Sequence, residues 1–225
     1  MGRFHDSHYS SMAKKFCKGS GLEIGSLHSR LDIDANVRVV DFIDDKTLKE
    51  NYKNDTNINV NDIWPVDIVT NAWDLSTIDD NSVDFVASSH VLEHLPNPGI
   101  AIEEWIRVVK PGGIVFFIVP DMRYTFDKKR KLTPVEELFK KYKSKTDKVP
   151  HEAYEEFVTL TYEDTKYSKE SIDAMYKDQD NIHVHTFTEE SLIEFCDGLS
   201  KMFNFTITKH LRDDMHIHVA LTKNL

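Results

Sequence analysis

Two cysteines, Cys17 and Cys196, are all the thiol chemistry in this chain of 225 residues. Their separation fits neither a disulfide framework nor a metal-binding pair, which excludes a cysteine-stapled scaffold and a zinc ribbon. Basic residues are also short: 28 lysines and arginines face 38 aspartates and glutamates, for a net charge of -10. A long polyanion such as nucleic acid meets an unfavourable average field, which only a local basic patch would override. Long apolar runs are missing too. No stretch approaches the roughly 20 residues of a membrane-spanning helix, and residues 1–21 hold no apolar core of a signal peptide. These absences lead us to expect a protein without membrane insertion in a reducing, cytoplasmic compartment, with nucleic acid not a partner. Oligomeric state is not readable.

What is present is a core of ordinary size, with 40% hydrophobic and 29% charged residues. That suits a single domain over residues 1–225 with a modest insertion. Short β-rich runs alternate with helical patterns. Leu22-Glu23-Ile24 ends in Gly25, Val37-Arg38-Val39-Val40 ends in Asp41, and Asp67-Ile68-Val69 precedes Asn71-Ala72-Trp73. Val83-Asp84-Phe85-Val86-Ala87 and Gly113 to Val119 continue the series, which predicts a mainly parallel sheet of an α/β fold. Asn97-Pro98 opens a helix with Ile102, Trp105, Ile106 and Val109 on one face, and Lys110-Pro111-Gly112-Gly113 stops it. Phe203–Leu211 and His216–Thr222, joined by Arg212-Asp213-Asp214, predict an antiparallel hairpin at the sheet edge. His216 and His218 would then share one surface face of an edge strand.

Residues 121–180 change character, with Lys128-Lys129-Arg130-Lys131 and a helix start at Thr133-Pro134-Val135-Glu136. Roughly sixty residues is too long for an ordinary connection, so a helical cap above the strand ends is expected, a candidate substrate lid. The basic run alone reads equally well as a solvated surface.

The most specific local pattern is Ser89-His90-Val91-Leu92-Glu93-His94. Positions i, i+3 and i+4 would put two imidazoles and a carboxylate on one face of a helical turn, a partial shell for a divalent ion. The turn follows a predicted strand, where ligands of parallel α/β sheets bind. The bland reading is that the histidines cap the turn or line a pocket. Among less specific candidates, Asp121 and Arg123 follow the fifth strand; Asp121 would orient a substrate, and Arg123 would bind a phosphate or carboxylate. His151, in the lid, and His183 are further candidates for catalytic proton chemistry.

Taken in order, Leu22-Glu23-Ile24-Gly25-Ser26, Asp41, Asp84 to Pro96 and Arg107 to Gly113 resemble the motifs of class I S-adenosylmethionine (SAM) dependent methyltransferases. The resemblance spans about residues 20 to 120 and implies a Rossmann-like seven-stranded sheet with an antiparallel last strand, the helical lid falling between strand five and the last helix. It also implies SAM as cofactor. Gly25 and Ser26 would let backbone approach it. Glu23 would either accept hydrogen bonds from nearby backbone or hold the methionine ammonium through water, and Asp41, with Asp44 in reserve, would bind the ribose hydroxyls. Asn71, Ala72 and Trp73 match the adenine-lining segment, where Trp73 packs on the base or fills core. The usual second glycine is absent from Glu23-Ile24-Gly25-Ser26-Leu27.

A closer resemblance is to bacterial O-methyltransferases associated with surface polysaccharide, through Glu23-Ile24-Gly25-Ser26-Leu27-His28-Ser29, the segment from Ser88, and His183-Val184-His185. Metal-dependent RNA 2′-O- and ubiquinone-pathway O-methyltransferases carry a Glu-x-x-Glu-His pattern similar to His90, Glu93 and His94. The downstream His-x-Phe of the RNA branch matches His185-Thr186-Phe187, which makes His185 the preferred fourth ligand and His183 the alternate. Such a nitrogen-rich set suits a transition metal, with manganese the preferred choice. The implied activity is O-methylation of a small polar acceptor: a sugar, sugar nucleotide, or phosphoryl or phosphoramidate precursor of a surface glycan. RNA ribose methylation and a catalytically inactive SAM-binding scaffold are the alternatives.

Overall fold

The computed structural model describes residues 3–4, 10–161 and 167–225; residues 162–166 of the expected lid and most of the segment before Ser10 lie outside it. The main sheet is built from β1 (Ser20–Ile24), β2 (Asn36–Asp41), β3 (Ile68–Val69), β4 (Val83–Ser89), β5 (Val109–Pro120), β6 (Phe205–Asp213) and β7 (His216–Lys223). Its order is β3-β2-β1-β4-β5-β7-β6, parallel except for β7, which runs antiparallel to β5 and β6. The expected seven-stranded, mainly parallel Rossmann-like sheet is what forms. Strand order reverses between β1 and β4, which opens a crevice beyond their carboxyl ends.

Alternation along the central strands explains why both faces are covered. Val86 on β4, Val115, Phe117 and Val119 on β5, and Val219 and Leu221 on β7 join one core with Ile102 and Trp105. Phe85, Ala87, Phe116, Ile118 and Ala220 point the other way, against Met12, Ala13 and Cys17. The first face is covered by α3 (Pro98–Val108), α4 (Val135–Ser144) and α7 (Glu189–Ser200). The second has only the short α1 (Ser11–Phe16) and the β1–β2 connection, which contributes Leu31 and Ile33. The remaining helices are α2 (Asp45–Asn51), α5 (His151–Thr161) and α6 (Lys169–Asp178).

The connection through residues 25–35 contains no helix, only Ser29–Arg30 bridging to Arg3–Phe4. This accounts for the missing second glycine: no helix N-terminus has to fit closely against the strand after Ser26. Gly25 itself is required, because its φ is +69° and a Cβ there would lie 2.6 Å from Val91 Cγ2.

α3 begins as expected, with Pro98 at its first turn and Asn97 accepting from the Ile100 amide. It ends one residue early, however, because Val109 is already the first residue of β5. The hairpin also forms, but β6 is the edge and β7 lies inside the sheet. His216 and His218 therefore do not share the surface of an edge strand, and His218 is buried.

The insertion after β5 divides in two. α4 joins the main helical layer, with Phe139 packed on Phe195 and Tyr142 on Phe203. α5 and α6 surround a separate small core of Tyr154, Phe157, Val158, Ile182 and Val184.

Trp105 ties the layers together. It is fully buried on α3, and its indole N–H donates to the Ala72 carbonyl at 2.8 Å. Trp105→Ala should lower the unfolding free energy by about 3–5 kcal/mol, read as a shift of the urea midpoint at unchanged slope. A cost under about 1 kcal/mol would mean that this helix is not anchored through its indole.

Candidate functional site

At the carboxyl end of β4 the chain turns sharply. His90 adopts φ 54°, left-handed backbone that side chains other than glycine rarely take. Leu92–His94 then form a single 3-10 turn. The expected α-helical face is therefore not how His90, Glu93 and His94 meet; the tight turn gathers them instead. Glu93 is fully buried, and neither carboxylate oxygen has a hydrogen-bond partner. Its backbone carbonyl accepts from the amides of Val184 and His185, at 2.8 and 3.0 Å.

Three imidazoles surround Glu93 Oε1. His90 Nδ1 lies 3.4 Å away, His94 Nε2 3.8 Å and His183 Nε2 4.0 Å. Outer partners orient two of these rings. His94 Nδ1 donates to the Ile182 carbonyl at 2.9 Å, and His183 Nδ1 pairs with Asp127 Oδ2 at 2.6 Å. Both therefore present an Nε2 lone pair toward Glu93 in their neutral form. Burial pushes the Glu93 carboxyl up, but the surrounding histidines outweigh it and hold the group at about 2. His94 is shifted down, chiefly by burial. An ionised carboxylate with no hydrogen bond, facing two imidazole lone pairs, fits a cation. Ligand atoms of Glu93, His94 and His183 all lie within 4.8 Å of one another.

His185 does not join this group. Its ring is buried against Phe187 with Nε2 3.4 Å from the Pro96 carbonyl, and burial is the chief cause that pushes it down to about 3. Residues 183–185 belong to no regular strand or helix, so i and i+2 do not share a face here, and His183 meets Glu93 while His185 packs against Phe187. His90 reaches Glu93 on one side and His216 Nδ1 on the other, at 3.0 Å.

Sequence reasoning missed Asp127 and His216. Asp127 stands next to the basic run, and Arg130, three residues on, is buried rather than solvated, bonding Asp127 Oδ1 at 2.9 Å and the His183 carbonyl at 2.7 Å. An acid and an arginine at that spacing are the only local signal. His151 is far from its expected role: Asp173 and Glu155 take its ring nitrogens at 2.7 and 3.5 Å, so it links α5 to α6. Asp121 is buried and clamps Arg123 through both carboxylate oxygens, at 2.9 and 2.6 Å. Burial raises Asp121, but Arg123 outweighs it and holds the carboxyl below its ordinary range.

A second cluster lines the ends of β1, β2 and β3. Glu23 is buried and accepts from the Leu31 amide at 2.7 Å and from Arg30 Nε at 3.1 Å, so the backbone-holding alternative is the one that forms. Burial is the main cause that raises it to about 7. Asp41 ends β2, is 6% exposed and accepts from the Phe42 amide at 2.8 Å. Burial raises it to about 6. Asp44 is occupied as the N-cap of α2. Ser26 Oγ is buried without a partner. Asn71 is exposed, Ala72 is buried and Trp73 lies partly against the core, while the neighbouring Phe42 and Val69 are strongly exposed.

The profile of the methyltransferase domain family matches residues 17–117, which run from before β1 into β5. Residues 17–117 are thus similar to a methyltransferase domain, and the sheet they help build has the fold of SAM-dependent methyltransferases. Solved structures agree on the fold. A candidate SAM-dependent methyltransferase from Methanococcus maripaludis is 18% identical with a TM-score of 0.50, over 97% of this chain and 84% of that one. One from Listeria monocytogenes is 15% identical with a TM-score of 0.51, over 97% and 98%. A Rhodobacter sphaeroides protein described as a candidate Zn-dependent alcohol dehydrogenase is 14% identical with a TM-score of 0.57, over 99% and 91%. At such identities each likeness concerns fold alone. No curated protein matches.

Asp41 sets a pH signature for this domain. Folded, it keeps its proton up to about pH 6, against an ordinary value of 3.8. Between those values the native state binds more protons than the unfolded chain, so this group makes stability fall as pH rises through the window. Asp41→Asn should remove a destabilising contribution on the order of 2 kcal/mol at pH 7, so that the variant gains stability relative to wild type there, and change nothing from this source at pH 3.5. Urea unfolding of both proteins across that range tests this; a constant difference between them at every pH would place the titration elsewhere.

Proposed function

We propose that the protein is a divalent-metal-assisted SAM-dependent O-methyltransferase acting on a small polar acceptor. The observation that carries this is the buried, hydrogen-bond-free carboxylate of Glu93 facing the oriented Nε2 atoms of His94 and His183. Those three residues would hold the ion, with His90 beside them. Two imidazoles and one carboxylate suit manganese or a neighbouring transition metal better than magnesium. A divalent ion at such a site lowers the pKa of an alcohol and orients its oxygen.

The chain's own residues supply the rest. Asp41, ionised above about pH 6, accepts hydrogen bonds from the ribose hydroxyls of SAM. Gly25, held at φ +69° and packed against Val91, turns the chain at the end of β1, where the methionine part of SAM would lie against backbone next to Ser26. Exposed Phe42 and Val69 flank the adenosine side, together with Asn71, Ala72 and Trp73. Asp127 fixes the His183 ring, and Asp121 fixes Arg123 at the acceptor side. The α5–α6 unit serves as a lid that excludes water. A sugar, sugar nucleotide or phosphorylated glycan precursor fits such a site. The surface-polysaccharide resemblance of Glu23 to Ser29 and His183 to His185 supports that choice and a cytoplasmic location.

Two variants separate the subsites. Glu93→Gln should lose stoichiometric manganese, measured by mass spectrometry after dialysis, while binding S-adenosylhomocysteine within threefold of wild type. Asp41→Ala should weaken calorimetric binding of S-adenosylhomocysteine by roughly 1.5 to 3 kcal/mol and leave metal content unchanged. Metal-free enzyme that retained full turnover would overturn the metal-assisted mechanism.

A further inference from the structure

Arg123 and Arg212 come from segments distant in sequence and meet on one ring. Tyr124 is 52% exposed, and the guanidinium carbons of Arg212 and Arg123 lie 4.5 and 5.9 Å from its centroid. Placing two cations on one small surface costs repulsion in the absence of an anion between them. The Asp121 carboxylate offsets part of this for both arginines, binding Arg123 through Nε and Nη2 and attracting Arg212, and Glu190 adds to it at Arg123 Nη2. Arg212 donates Nη1 to the Asp214 carbonyl, a neutral partner. Among the described residues, Arg123 Nη1 and Arg212 Nε and Nη2 have no hydrogen-bond partner, and these donors sit in the planar forks that match oxyanions.

The position of the pair gives those donors a use. Asp121 follows Pro120, which pairs in register with His216, and the His216 ring meets His90 beside Glu93. The arginines therefore flank the same end of the sheet as the Glu93 group. Three residues after Arg123, Phe126 is 52% exposed, with its ring 4.7 Å from that of His183. An acceptor ring on Phe126 would lie next to the metal ligands, with a charged substituent within reach of the guanidiniums.

We propose that Arg123 and Arg212 form an oxyanion subsite, and that the acceptor carries a phosphoryl or carboxylate group which they bind. This deepens the acceptor reading above and rests on it only for calling the bound anion a substrate group. It also accounts for a protein of strongly negative net charge keeping an exposed and a half-buried guanidinium on one tyrosine ring.

The test uses metal-free full-length protein, with methyl phosphate and acetate as probes followed by ligand-detected NMR. At least one probe should bind saturably. Arg123→Gln and Arg212→Gln should each weaken it tenfold or more, with circular dichroism unchanged, and Lys201→Gln, a charge control on an exposed helix end, should not. Preference for methyl phosphate assigns a phosphoryl substituent, and preference for acetate assigns a carboxylate. Failure of both probes to saturate the wild type, or unchanged affinity in both arginine variants, overturns the subsite. Because no turnover is read, an enzyme that fails to methylate any acceptor leaves this result standing, and the reverse also holds.

Discussion

Glu93 is where the sheet and the insertion become one structure. Its carbonyl takes the amides of Val184 and His185, which brings the segment after α6 against the turn after β4. Its carboxylate sits among imidazoles from both segments, with no hydrogen bond of its own. A buried carboxylate in that state is costly, so the surroundings have to be fixed by other bonds. Asp127, Arg130 and the Ile182 carbonyl supply them. Those bonds in turn set where the small core of α5 and α6 lies.

Two subsites of different character share the crevice. The β1–β3 side is made of carboxylates raised by burial beside the turn at Gly25, suited to neutral hydroxyl donors. The β4–β5 side is made of imidazoles around a carboxylate held ionised, with His94 shifted down by burial. A reversal of strand order places the two side by side, as the proposed transfer from a sulfonium to an oxygen would require.

The sheet was readable because β4 and β5 are apolar on both faces and bounded by acids, glycine and proline, a pattern that survives without knowledge of partners. Glu23, Gly25 and Asp41 were placed for the same reason, since each ends or follows such a strand. The histidine shell was only half readable. His90, Glu93 and His94 are neighbours in sequence, but the choice between His183 and His185 depends on which way an irregular segment turns, and periodicity carries no information there. His216 looked superficial because the hairpin gives no hint that its second strand inserts beside β5. Arg130 looked solvated because three lysines surround it, whereas burial beside Asp127 is a tertiary fact.

The order in which these pieces leave the ribosome differs sharply. Everything on the SAM side, Glu23 through Trp73, is synthesised within the first third of the chain, and local pairing of β1 with β2 can shape it early. The imidazole shell closes only when His183 arrives, and its His90 edge only when β7 is complete, so it draws on contacts of about ninety and more than one hundred and twenty residues' separation. Long-range closure of that kind comes late in folding. A nascent or truncated chain can thus possess the β1–β3 cradle without the imidazole shell, and if that shell holds metal as proposed, metal uptake would report that the whole chain has been made and folded.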